Sequence, residues 1–149
     1  MGLDKVHRRV GIATVVVFLL TGLYMRLRFP GLYDHNQVVR FLFRANHIYL
    51  LASGLLNIAV GTYLAVAPGG WRRNLGIAGL LLYLAAPALL LVAFFYEPPQ
   101  ARPERYLTVI GVVVLLVATV CHMVGARHVG TKRRRRAKAG RPPLIAQRA

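Results

Sequence analysis

Among 149 residues the chain has one cysteine and four acidic side chains. A lone thiol, Cys121, excludes an internal disulfide and any cysteine cage for a metal. It falls inside an apolar run, where it reads as a small helix residue and carries no information about redox compartment. The acids Asp4, Asp34, Glu97 and Glu104 all lie outside the uncharged runs. The buried carboxylate relay of proton-coupled carriers is therefore missing. There is no Gly-rich phosphate loop, no H-E-x-x-H and no G-x-S-x-G. Nothing here predicts an enzyme.

What is present is apolar length. The composition is 56% hydrophobic with a mean hydropathy of +0.50, too little polar surface for a soluble globule. Residues 10–25, 45–71, 74–96 and 106–126 contain no Asp, Glu, Lys or Arg. The last three exceed the roughly 20 residues needed to cross a hydrocarbon core. The first is shorter, but Arg8, Arg9 and Arg26 have stems that reach the headgroups. It resembles a signal peptide only in its basic start; no A-x-A-like site follows, so it reads as a retained helix. Met1-Gly2 is no myristoylation start, because Val6 stands where Ser or Thr is required.

The expected fold is an all-α integral membrane protein: an up-down bundle of four transmembrane helices at about 6–27, 36–67, 71–97 and 105–126. Residues 1–126 form the transmembrane domain and 127–149 a disordered basic cytoplasmic tail. The net charge of +16 is unevenly spread. With the N-terminus inside, fourteen Lys and Arg fall on the cytoplasmic side and six outside, the latter with three of the four acids. The positive-inside bias thus places both termini in the cytoplasm, and the expected home is a bacterial inner membrane.

Several positions punctuate this pattern. Pro30-Gly31 is expected to break the first helix, and Asp34 to cap the second. Asn36, Arg40 and Arg44 recur at i, i+4, i+8 on one face of an amphipathic lead-in to helix two, opposite Val38, Phe41 and Leu42. His47 continues the arginine face. Asn46, Tyr49, Ser53, Asn57 and Gly61 form a second polar and small stripe about 100° round. Gly11, Thr14 and Thr21 on helix one, and Gly111, Ala118 and His122 on helix four, make stripes suited to close approach. Pro87 should kink helix three, a defect tolerated when a neighbour satisfies the freed carbonyl. Residues 9–18 match 74–83 position for position at an offset of 65, as a duplicated hairpin would.

Three sites follow. Arg40, Arg44, Asn46 and His47 suit an anionic lipid headgroup, a haem propionate or a quinone carbonyl, because guanidinium forks bind oxyanions two-pronged. A haem there would need Met25 or a second protomer as its other ligand. His7 and His122, each in register with its helix's small-residue stripe, would lie at similar depth near the cytoplasmic face and could ligate a b-type haem. The basic run Lys132, Arg133, Arg134, Arg135, Arg136 with Lys138 should lie on anionic lipid, with a polyanion such as RNA as the lesser partner. Four spans with histidines near the helix ends resemble small b-type cytochrome and respiratory-anchor subunits in architecture. The expected function is a non-catalytic accessory, assembly or lipid-binding membrane subunit, packing on another membrane protein or on itself. The alternative is a haem- or quinone-binding electron-transfer subunit.

Overall fold

The computed structural model describes residues 2–64, 69–101 and 104–139, with side chains as far as Ala126. It has four helices: α1 Leu3–Leu32, α2 Gln37–Thr62, α3 Trp71–Tyr96 and α4 Tyr106–Ala139, with a short 3-10 turn Pro98–Gln100 before α4. Among the described residues three helical segments are long and apolar enough to cross a membrane: Leu3–Leu32, Trp71–Gln100 and Tyr106–Ala126. The α2 helix does not reach that measure. It carries Asn46, His47, Ser53 and Asn57, and three of these four are fully buried.

Sequential helices are antiparallel and packed as two hairpins. In the first, a Cβ on Gly11 would lie 2.7 Å from Gly54 O and from Ile58 N, and one on Gly61 2.7 Å from Asp4 O. In the second, a Cβ on Gly79 would lie 2.9 Å from Ala118 O, and one on Gly125 2.9 Å from Gly76 Cα. Close backbone approach at small residues is what brings the two helices of each hairpin together. Gly11 and Gly76, related by the offset of 65, both face the partner helix of their own hairpin, but a Cβ on Gly76 would make only an ordinary contact, 3.9 Å from Gly125 Cα. The hairpins join mainly through α2 and α3, and among the described residues α1 and α4 have no close backbone approach.

Polar and small side chains are buried together with an apolar core, and large apolar side chains also cover the outside. The α1 helix buries His7, Gly11, Thr14 and Thr21, while Leu19 and Leu20 are 62% and 59% exposed. Leu116 and Val120 of α4 are exposed likewise. Toward the end where α1 and α3 finish, here the distal end, Tyr24, Phe29, Tyr33, Phe43, Phe94 and Phe95 form a continuous aromatic cluster from three elements. Sequence periodicity gave no sign of this cluster.

Several boundaries differ from expectation. Pro30 does not end α1, which continues to Leu32. A proline this close to a C-terminus removes one backbone bond, and the Tyr33 N–H still reaches Phe29 O at 3.1 Å. The cap of α2 is Asn36, whose side chain accepts from Val39 N at 3.1 Å, in place of Asp34. That helix ends at Thr62, short of the expected 67. The α4 helix runs on through the basic stretch to Ala139 where an irregular tail from 127 was expected. Ala, Lys and Arg are good helix formers, and propagation from an existing helix needs no new nucleus. The side chains of Lys132–Arg136 and Lys138, and all of residues 140–149, lie outside the described residues.

Candidate functional site

Three polar sites are built into this frame. The first lies at the proximal end, where α1 and α3 begin, and starts from Pro87. Proline has no N–H, so the carbonyl four residues earlier, on Tyr83, loses its helical partner. Asn57 of α2 supplies the replacement, its Nδ2 donating to Tyr83 O at 2.8 Å and to Ser53 O at 3.0 Å. With both amide protons given to carbonyls, Asn57 Oδ1 is an acceptor, and it faces His7 Nδ1 at 2.9 Å. That partner fixes the tautomer: Nδ1 carries the proton, and the Nε2 lone pair is left bare. His7 is 0% exposed, and its Nε2 has no hydrogen-bond partner.

Opposite stands His122 of α4. Its ring meets Tyr83 edge-on at 6.4 Å between centroids, and its Nδ1 is also buried without a partner. The Tyr83 hydroxyl donates to Thr119 Oγ1 at 2.8 Å, extending the network onto α4. All four helices thus contribute to one polar centre. Asn57 belonged to the small-residue stripe read from the sequence, but its pairing with His7 spans 50 residues and leaves no local trace.

The second centre, at the distal end, is structural. Glu97, only 7% exposed, accepts from Leu107 N at 2.6 Å and from Thr108 N at 3.2 Å, capping α4 from across the loop. The Thr108 hydroxyl sits between Glu97 Oε2 and Asn46 Oδ1 with one proton to give. Arg105 donates to the same Asn46 oxygen, and Asn46 Nδ2 donates to Ala93 O at 3.1 Å. Sequence reading placed Glu97 at the close of helix three without its partners, because a cap supplied from ten residues upstream matches no capping pattern. Glu97→Ala should cost about 1–2 kcal/mol by stripping two buried N–H groups of their acceptor, with Glu97→Gln costing less. Equal unfolding free energies for the two variants in mixed micelles would remove the cap assignment.

The third site is a groove of about 290 Å³ lined by Met25, Arg26, Phe29, Pro30, Asp34, Arg40 and Arg44. The Arg40 guanidinium lies over the Phe29 ring at 5.8 Å. Arg26, from α1, was not among the residues the sequence grouped here; it arrives because α1 packs along α2, which carries Arg40 and Arg44. Asn46 and His47 do not line this groove. Asn46 faces Ala93 and Arg105, as above. His47 stacks on Phe18 at 3.9 Å and 18°, and its Nδ1 lies 3.0 Å from Thr21 Oγ1. A Cβ on Gly22 would come within 3.2 Å of the His47 ring, so the imidazole is seated between α1 and α2.

Fold and site together define an all-helical bundle with membrane-length helices and a polar interior. No family model, curated protein or solved structure matches the chain.

Proposed function

We propose that this protein is a non-catalytic membrane subunit that crosses a bacterial inner membrane four times, with both termini cytoplasmic, and holds an anionic lipid at its distal groove. The carrying observation is the convergence of Arg26, Arg40 and Arg44 on an apolar floor of Met25 and Phe29. Guanidinium forks match phosphate oxygens, and the floor matches the first methylenes of an acyl chain. The outward faces of α1 and α4 support solvation by acyl chains, since exposed apolar surface on this scale needs lipid or another protein. Insertion of α2 follows from its neighbours: its polar side chains point into the bundle, where Ala93 and Tyr83 carbonyls satisfy them. The charge asymmetry of the loops supports the sidedness.

With Arg26, Arg40 and Arg44 all replaced by Gln, anionic lipid co-purifying with the protein should fall several-fold while zwitterionic lipid stays constant, measured by mass spectrometry of the extracted detergent complex. An unchanged anionic fraction would rule out the groove as the lipid site. The electron-transfer alternative has one observation in its favour, the unpartnered ring nitrogens of His7 and His122 at the proximal end.

A further inference from the structure

The distal arginines border more than one recess. Arg40 and Arg44 line the groove already described and also a second one, again of about 290 Å³, which Gln37 and Phe41 complete. Helical geometry sets the two apart. The buried Phe43 ring meets Phe29 of α1 at 5.5 Å. From Phe43, Arg40 and Arg44 stand about 60–100° round α2, and Gln37 and Phe41 about 120–160° in the same direction. The two arginines are therefore a ridge, with α1 and the first groove on one flank and the second groove on the other. Each flank has its own apolar surface: Met25 and Phe29 in the first groove, and Phe41, 67% exposed, in the second.

Charge is unbalanced at this ridge. Arg26, Arg40 and Arg44 share their groove with a single carboxylate, Asp34. Among the described residues none of these four side chains makes a hydrogen bond or an ion pair, and the only interaction is that of Arg40 with the Phe29 ring. Three guanidinium charges less one carboxylate leave two positive charges for a ligand to match.

We propose that the two grooves together hold one lipid of the cardiolipin type, in which two phosphodiesters are joined through a single glycerol, with one phosphate on each flank of Arg40 and Arg44. The proposal rests on the reading of the distal groove as an anionic-lipid site and names the lipid. Two phosphodiesters supply both of the missing negative charges, where phosphatidylglycerol supplies one. A guanidinium has five N–H donors in a planar fork, enough to reach a phosphate at either edge. Acyl chains extend from beyond each phosphate of such a lipid, which suits a ridge with apolar surface on both flanks. A lipid diphosphate has adjoining phosphates and one hydrocarbon tail, and fills one groove only. Tethering the second phosphate to the first makes its binding intramolecular, so the doubled headgroup outcompetes single ones.

The test titrates delipidated full-length protein with cardiolipin, phosphatidylglycerol and a polyprenyl diphosphate in mixed micelles, counting bound lipid by native mass spectrometry. One cardiolipin per chain is expected, held about tenfold more tightly than phosphatidylglycerol. Arg26 lines the first groove and not the second, so Arg26→Gln should weaken both lipids. Gln37 and Phe41 line the second and not the first, and both are exposed. Replacing the two together by Ala should lower cardiolipin affinity several-fold and leave phosphatidylglycerol affinity unchanged. Equal affinity for the two lipids, or an equal loss of both in that double variant, would overturn the paired-groove assignment and leave the anionic-lipid reading standing. Tighter binding of the polyprenyl diphosphate than of cardiolipin, or displacement of cardiolipin by inorganic phosphate, would overturn it in favour of a phosphate group held in one groove. Binding of neither anionic phospholipid would remove both readings. Circular dichroism of each variant separates loss of lipid from loss of fold.

Discussion

Asn57→Leu is expected to lower the unfolding free energy by about 2–3 kcal/mol, the larger of the effects predicted for a single polar side chain. The leucine has the volume but none of the three hydrogen bonds. It leaves two buried groups without partners, the Tyr83 carbonyl freed by Pro87 and the His7 Nδ1–H. An orphaned buried group costs about 1–3 kcal/mol in general, with side-chain bonds in membranes toward the low end. Asn57 and Pro87 should also be energetically coupled. Pro87→Ala restores an N–H that can close the helical bond to Tyr83 O, so in that background Asn57→Leu should cost about 1 kcal/mol less. Steric trapping or SDS titration in mixed micelles would measure the cycle. If the two substitutions prove additive, Asn57 is not the partner that makes Pro87 tolerable.

Gly11→Val should cost about 3 kcal/mol, at the upper end of overpacking effects. Its Cβ would stand 2.7 Å from Gly54 O and from Ile58 N, both backbone atoms of a helix that cannot shift locally. The α1–α2 hairpin must separate along its length, and His7, one turn away on α1, would be pulled from Asn57. Gly31→Ala is the matched control, since nothing lies within 4 Å of a Cβ there. It should be neutral or stabilising by up to about 1 kcal/mol through helix propensity. Equal effects of the two substitutions would mean that close approach at Gly11 does not hold the hairpin.

Both predictions rest on contacts that differ in how far the sequence foretold them. The glycine stripes were legible, because helical periodicity alone puts Gly11 and Thr14 on one face and a membrane helix has few other uses for such a face. Pro87 was legible as a defect needing a neighbour, though not which neighbour. Asn57 is 26 residues from Tyr83 and 50 from His7, and periodicity places it on a face of α2 without saying what that face meets. The arginine groove was half legible. Arg40 and Arg44 share a face by their spacing, but Arg26 joins them only through the packing of α1 on α2. His47 was grouped with these arginines by the same spacing, yet its ring lies against Phe18 and Thr21. Spacing fixes where a Cβ emerges; the rotamer and the neighbouring helix decide where a long or flat side chain ends.

The sequence by itself determined that the chain is helical, how many helices it has and which of their faces are small or polar, because these follow from runs and periods along a single strand of residues. Only the tertiary structure decided which polar groups find each other. It joins His7 of α1, Asn57 of α2, Tyr83 of α3 and Thr119 of α4 into one network. The bond from Asn57 to the Tyr83 carbonyl depends on how two hairpins dock, and docking is set by shape and backbone approach in three dimensions, which no one-dimensional pattern encodes.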